Sequence, residues 1–334
     1  MSQAYIRSRI IPSSLIYQRR KYRCAGARLA RMNATREHRE HREHQEHREH
    51  QEHQEHRETT IEGVRLHWVR AGSAGSGTPV VLLHGWPQTW YAWRKVIPGL
   101  ARDHEVFAVD LPGLGDSGSS PRGQGVRIAA DLLDAWRAEL GLDRVHVVGH
   151  DLGGPIGYAW AAAHPAHVRS FTLLAVPLHG FGLSELIARA GLWHFGFFSV
   201  PGLAEKLAEG RERILLEHFY AHAMESGAIS PADVDTYLHT YTRPGRLANG
   251  FAYYRNAPAD TAALTELART RLPMPTLAVG CGRAGGPAPL HSLGQVAPAT
   301  RGAVIDDSGH YLPEEQPGPL LSLLVPFLAE ADGS

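Results

Sequence analysis

Gly149-His150-Asp151-Leu152-Gly153 constrains what this chain can fold into more than any other stretch. A short apolar run, Arg144 to Val148, precedes it, and an apolar helical pattern from Gly154 to Trp160 follows. Strand, tight turn and helix in that order form a nucleophile elbow, normally written G-x-S-x-G. Here the central residue is aspartate. A carboxylate on such a turn attacks carbon and leaves an ester on the protein. That chemistry suits displacement at a saturated carbon, such as opening an epoxide or expelling a halide. It does not suit the peptide or lipid cleavage that a serine elbow performs.

Bulk properties bound the answer further. The 334 residues suffice for one large domain or two. A hydrophobic content of 43% and a charged content of 20% fit a globular core. The formal net charge is +0, so no global field favours nucleic acid or a membrane surface as partner. No apolar run reaches the roughly 18 to 20 residues that span a bilayer. Cys24 and Cys281 lie far apart and allow at most one bridge. A reducing, cytoplasmic setting is the simple expectation.

Charge is unevenly placed. Residues 1–36 are basic and contain no acid, and a triplet repeat of Glu-His-Arg and Glu-His-Gln runs from Glu37 to Glu58. Its histidines recur every third residue from His38 to His56. With almost nothing apolar to bury, residues 1–58 are expected to be a disordered low-complexity tail outside the core. Two readings of the repeat are open: metal capture by many imidazoles, or an expanded tail with no role in the fold. The basic segment before it could mimic an organelle transit peptide, or translation could start at Met32.

The folded part is expected from Thr59. Thr60 to Val69 alternates apolar and polar residues like one half-buried strand. Thr78 to Leu83 is a continuous apolar strand, as in a sheet covered on both faces. Further strands are expected at Val106–Val109, Val145–Val148, Ser170–Val176, Thr276–Val279 and Ala303–Ile305. Helical patterns occupy Trp90 to Ala101 and Ile128 to Leu140. This alternation predicts an α/β fold with a mostly parallel sheet flanked by helices. Between Leu178 and Arg271 the strand signals stop and helical spacing takes over, as in Arg211 to Met224. Residues 178–271 therefore predict a helical lid between two core segments, 59–177 and 272–334. It would cover the carboxyl ends of the strands, where open α/β sheets bind ligands.

Four motifs in order carry a resemblance. His84-Gly85-Trp86-Pro87 follows an apolar strand, and Asp110 to Gly118 reads D-x-x-G-x-G-x-S-G. The aspartate elbow comes next, then Asp307-Ser308-Gly309-His310-Tyr311-Leu312-Pro313. Together they resemble the α/β-hydrolase fold family, and within it the epoxide hydrolase branch. The resemblance implies that Asp151 is the nucleophile and His310 the base that activates water. It implies an oxyanion hole made by the backbone N–H groups of Trp86 and Leu152. The alternatives are a helix N-cap for Asp151 and a solvated loop histidine for His310; the flanking glycines and the Ser-Gly-His setting favour the catalytic roles. His84 and His150 are expected to orient loops.

The branch also uses lid tyrosines that donate hydrogen bonds to the epoxide oxygen. Phe251 to Asn256 resembles the segment carrying the second of these and implies that role for Tyr254; plain packing is the alternative. At the first, in Trp193 to Phe198, His194 stands where a tyrosine is usual. His194 and Phe195 are therefore candidate substrate contacts. The chain also resembles fluoroacetate dehalogenases, but Phe195 stands for their tryptophan and Leu152 for their arginine. A small carboxylate substrate needs such a cation.

The triad acid is the main departure. Its two usual places, after the fold's sixth and seventh strands, correspond to Ala175 and to the neighbourhood of Gly282. No Asp or Glu occurs from Leu152 to Ser184 or from Leu267 to Ile305. The acid fixes the tautomer of the histidine and stabilises its charged form. Its identity is left unknown, with Asp306, Asp307, Glu314 and Glu315 near His310 in sequence. The expected activity is hydrolysis of a small apolar epoxide without metal or cofactor, slowed at the second step. The alternatives are a member of the fold that binds a small ligand with little or no turnover, and a haloalkane or haloacid dehalogenase.

Overall fold

The computed structural model describes residues 54–333. Its strands are β1 (Glu55–Ile61), β2 (Val64–Ala71), β3 (Val80–Leu83), β4 (Val106–Val109), β5 (Val145–His150), β6 (Val168–Leu174), β7 (Thr276–Cys281) and β8 (Arg301–Ile305). They form one sheet in the order β1-β2-β4-β3-β5-β6-β7-β8. The pairs β1–β2 and β2–β4 are antiparallel, and the rest are parallel. This is the mostly parallel α/β sheet that the strand and helix alternation predicts.

The central strands β3 and β4 are apolar and buried throughout because both faces are covered. Helices α1 (Ile97–Leu100), α2 (Val126–Glu139) and α3 (Gly153–Ala163) follow β3, β4 and β5. Val81 and Leu83 point to the face where Trp136 of α2 and Ile156 and Trp160 of α3 pack. Val80 and Leu82 point to the other, against Ile97 and Leu100 of α1. Each such fully buried aliphatic side chain contributes about 1.5–3 kcal/mol.

Between β6 and β7 lie seven helices: α4 (Leu183–Ala190), α5 (Trp193–Ser199), α6 (Leu203–Ala208), α7 (Glu212–Glu225), α8 (Pro231–Tyr241), α9 (Arg246–Arg255) and α10 (Ala257–Leu267). Between β7 and β8, α11 (Ala288–Val296) packs on the first face through Leu293 and Val296, and α12 (Leu312–Glu315) and α13 (Pro317–Asp332) close the second. No described helix is long and apolar enough to cross a membrane.

Two features differ from the sequence-based expectation. The alternating segment is a hairpin, with Ile61 opposite Val64 and a two-residue turn at Glu62-Gly63, both at positive φ (49° and 78°). That backbone suits the right-handed twist of the flanking strands. The alternation simply continues across the turn, which hides it. In addition, β1 starts at Glu55, four residues ahead of Thr59, so the end of the triplet repeat belongs to the sheet. His56 Nδ1 lies 3.0 Å from His67 Nε2, and the His56 ring meets the Trp90 edge-on. His67 Nδ1 bonds in turn to the buried Asp110 at 2.8 Å. The basic segment, Met32 and the histidines from His38 to His53 lie outside the described residues.

A buried ion cluster ties the seven-helix insertion to the core. The Arg94 guanidinium, 4% exposed, pairs with Glu314 of α12 and, at 2.9 Å, with Asp233 of α8. Glu314 also accepts from Gln88 Nε2 at 2.5 Å. Removing one partner of such a cluster leaves a buried charge uncompensated. Arg94→Met is expected to lower stability by about 3–5 kcal/mol in equilibrium denaturation. A loss under about 1 kcal/mol would show that water reaches Glu314.

Candidate active site

The elbow is built from close backbone approach. Asp151 joins β5 to α3 and has φ 48°, a left-handed conformation that costs an aspartate free energy. The two glycines around it leave no room for alternatives. A Cβ at Gly149 would run into the carbonyl of Gly153, and one at Gly153 would run into the carbonyl of Leu83. Neither glycine needs positive φ; what each supplies is the absence of a side chain.

This turn aims the carboxylate at two groups. Oδ1 accepts from the backbone N–H of Trp86 at 2.9 Å. Oδ2 lies 3.3 Å from Nε2 of His310. Burial alone would raise the carboxyl pKa. The hydrogen bond and charge of His310, with smaller contributions from His150 and the Leu152 N–H, outweigh it and hold Asp151 well below the usual carboxylate range. Asp151 is therefore ionised at neutral pH.

His310 sits on the loop after β8 and is one-third exposed. Glu315 grips its backbone from both sides, accepting from the N–H of Gly309 at 2.7 Å and of Tyr311 at 2.9 Å. The His310 carbonyl accepts from Nε2 of buried His150 at 2.7 Å. Burial first, then the nearby His310 ring, pushes the His150 pKa down to about 4, so it donates as a neutral ring. His84 is also neutral, its pKa lowered by burial. It donates from Nδ1 to the Gly85 carbonyl at 2.7 Å and accepts at Nε2 from the Leu111 N–H at 3.1 Å.

Among the described residues, Asp151 is the only acid that pairs with the His310 ring. Of the acids near it in sequence, Asp306 is exposed and the other three are engaged elsewhere. Glu314 pairs with Arg94, Glu315 holds backbone amides, and Asp307 faces Arg283 at 3.2 Å on the surface. Ala175 follows β6 at φ 69° and lines the same cavity as Asp151 and His310. At Gly282 a Cβ would collide with the backbone of Asp306. That position is closed by packing, whatever its φ.

A cavity of about 440 Å³ opens onto the carboxylate. Trp86, Leu152, His194, Phe195, Tyr254 and Tyr311 line it together with Asp151 and His310. The sequence-predicted residues, scattered from Trp86 to His310, thus meet at one site. Tyr254 of α9 stands edge-on to Trp86 at 5.6 Å, to Phe195 at 5.0 Å and to His194 at 5.6 Å between ring centroids. Burial, and then the charge of Asp151, pushes the Tyr254 hydroxyl far up, so it stays protonated. Burial lowers His194 to about 4, so it is neutral. Sequence reasoning did not single out Tyr311, His179 or Phe219. The signal for His179 was its place just after β6, at a carboxyl strand end.

Among the described residues, three groups of histidine and carboxylate atoms lie close enough to hold an ion: His104, His146 and Asp332; Asp134, His164 and His167; His67, Asp110 and Asp116. None lines the cavity, and hydrogen bonds or ion pairs within the protein engage all three groups.

A buried sheet with an aspartate elbow, a histidine after the last strand and a helical insertion between β6 and β7 defines an α/β hydrolase. The α/β-hydrolase fold model matches residues 78–317, and the chain belongs to that family. A model of the epoxide hydrolase N terminus matches residues 5–93, which places the chain in the epoxide hydrolase-like branch. A soluble epoxide hydrolase of Corynebacterium sp. (strain C12) is 33% identical over 286 residues, 81% of this chain and 96% of that protein. The crystal structure of Cfl2 from Burkholderia cenocepacia matches with a TM-score of 0.76 and 36% identity over 82% of this chain and 96% of its own. The epoxide hydrolase CorEH matches with a TM-score of 0.74 and 30% identity over 83% and 99%.

The two acid positions yield a paired prediction. Gly282→Asp is expected to lower the melting temperature without speeding turnover, because its Cβ meets backbone. Ala175→Glu, which points a carboxylate from the cavity wall, is expected to raise the steady-state rate, by up to about 10² to 10⁴. Steady-state kinetics on both variants checks this; faster turnover in Gly282→Asp alone would reverse the assignment.

Proposed function

We propose that this protein opens small epoxides through an ester on Asp151. The observation that carries the reading is the split engagement of one ionised carboxylate: Oδ1 held by the Trp86 N–H, Oδ2 turned toward His310 inside an apolar cavity. Oδ2 attacks a ring carbon, forming a C–O bond while the ring C–O bond breaks. The Tyr254 hydroxyl donates to the departing ring oxygen, and its high pKa keeps that proton in place beforehand. His194, on the same wall, is a second neutral donor. The seven-helix insertion supplies both residues and acts as the lid over the strand ends.

Ester hydrolysis follows. His310 takes a proton from water, and the hydroxide attacks the Asp151 carboxyl carbon. The charge that develops falls on Oδ1, where the N–H groups of Trp86 and Leu152 receive it. The bond from the carboxyl carbon to Oδ2 then breaks, and His310 returns its proton to Oδ2 as the diol leaves. Water's oxygen stays on the carboxyl carbon, and the second proton of water passes to the Tyr254 oxygen, which restores both the tyrosine and the carboxylate. With no described acid pairing with His310 apart from Asp151, this second step is the slow one. The same observation favours the alternative of a protein that captures its ligand with little turnover. Halide expulsion from a small acid fits less well, since the residue after the nucleophile is Leu152 and offers no cation.

In a single turnover in labelled water, the label is expected in Asp151 before it reaches the diol, as mass spectrometry of the peptide would read. Label found first in the diol would establish direct attack by water. Asp151→Ala is expected to abolish ring opening while circular dichroism stays native.

Tyr254→Phe is expected to slow ester formation about 10²-fold and ester breakdown far less. Rapid-quench kinetics separates the two steps. Equal effects on both would assign Tyr254 to packing alone.

A further inference from the structure

His179 has no part in the chemistry above, yet it stands in the wall of the same cavity. It follows β6 in the run Ala175-Val176-Pro177-Leu178-His179, and it is only 8% exposed. Val176, Pro177, Leu183 and Leu186 line the same cavity, and its one arginine, Arg283, is paired with Asp307 at 3.2 Å. Among the described residues, no hydrogen bond or ion pair engages the His179 ring. By contrast, the other buried ring histidines near the site, His84 and His150, each hold a carbonyl. An imidazole left open toward a ligand cavity is satisfied when the ligand brings the partner.

The form of the ring narrows what that ligand carries. Burial pushes the His179 pKa down to about 4, against the weaker pull of Asp151. The ring is therefore neutral at neutral pH, with one N–H donor and one lone-pair acceptor. A carboxylate on the ligand could use only the donor, and the ionised Asp151 would repel it. A hydroxyl both donates and accepts, and carries no charge. We infer that His179 is a specificity-determining residue that hydrogen-bonds a hydroxyl near the epoxide ring, so that the substrates are epoxy alcohols with an apolar tail. The tail lies along the Leu183, Leu186 and Phe219 wall, and the ring stands over Asp151.

This inference rests on the epoxide-opening reading of the site, and the test separates the two. Matched pairs of 2,3-epoxy alcohols and 1,2-epoxyalkanes of equal chain length give a ratio of kcat/KM values. The wild-type ratio is expected to favour the alcohol, and His179→Leu to reduce that preference about tenfold, the size of one hydrogen bond. His179→Gln, which keeps a donor and an acceptor, is expected to restore part of it. An unchanged ratio in His179→Leu overturns the inference. If the wild-type protein opens neither epoxide, the chemical reading fails, and calorimetry of the matched triol and diol then tests the contact alone. A triol preference lost in His179→Leu supports the inference without turnover; equal affinities for triol and diol in the wild-type protein overturn it.

Discussion

The site depends on how closely three backbone segments approach at the carboxyl ends of β3 and β5. Gly85, Gly149 and Gly153 each stand where a Cβ would strike the elbow or its neighbour: Gly85 the Asp151 side chain, Gly149 the Gly153 carbonyl, Gly153 the Leu83 carbonyl. Only with all three side chains absent can the Trp86 N–H reach Oδ1 while Asp151 holds φ 48°. Strain of one to three kcal/mol at such a residue persists only where its surroundings over-determine it. Here parallel pairing of β3 with β5, Val80 to Leu83 against His146 to Gly149, does that. The buried sheet therefore sets the geometry of the carboxylate, holding Oδ1 on the Trp86 N–H and turning Oδ2 toward His310.

The helical insertion is fastened to the same loop. Trp86 is ringed by Phe198, Phe219, Tyr241, Phe251 and Tyr254, all from the insertion. The hydroxyls of Tyr220 and Tyr241 donate to the carbonyls of Pro87 and Gln88 at 2.5 and 2.7 Å. Tyr253 does the same to Pro112 at 2.9 Å. The residue that offers its amide to Asp151 thus also offers its ring to the helices that carry Tyr254 and His194. Asp151 and the helices that carry Tyr254 and His194 are both tied to one tryptophan, the first through its amide and the second through its ring.

Much of this was legible in the sequence, for identifiable reasons. The elbow announces itself because glycines at close backbone contacts cannot be replaced, and the central strands β3 and β4 because burial on both faces makes them wholly apolar. Asp151, His310 and the α/β order follow from local pattern. What pattern does not carry is distance. Nothing in Gly280-Cys281-Gly282 reveals that the Asp306 backbone fills the space a side chain at 282 would need. Nothing in Glu314-Glu315 says that one acid serves Arg94 and the other two amides. The hairpin at Glu62-Gly63 was hidden because its turn kept the alternation of the strands around it.

The start of β1 carries a consequence for the repeat that runs into it. Strands have a period of two, the repeat a period of three. Sliding the chain by one triplet would put another histidine where His56 stands, so the histidine contact alone does not fix the pairing. The same slide would bring Glu58 to the place of the buried Ile61 and pull the Glu62-Gly63 turn out of position. Register is therefore set from the carboxyl side, by Ile61, Val64 and the turn between them. The strand takes whichever triplet comes last and does not count those before it. Copies can be gained or lost upstream of Glu55 over evolutionary time while β1 keeps the same partners, so a repeat prone to change in length adjoins a sheet that does not register the change.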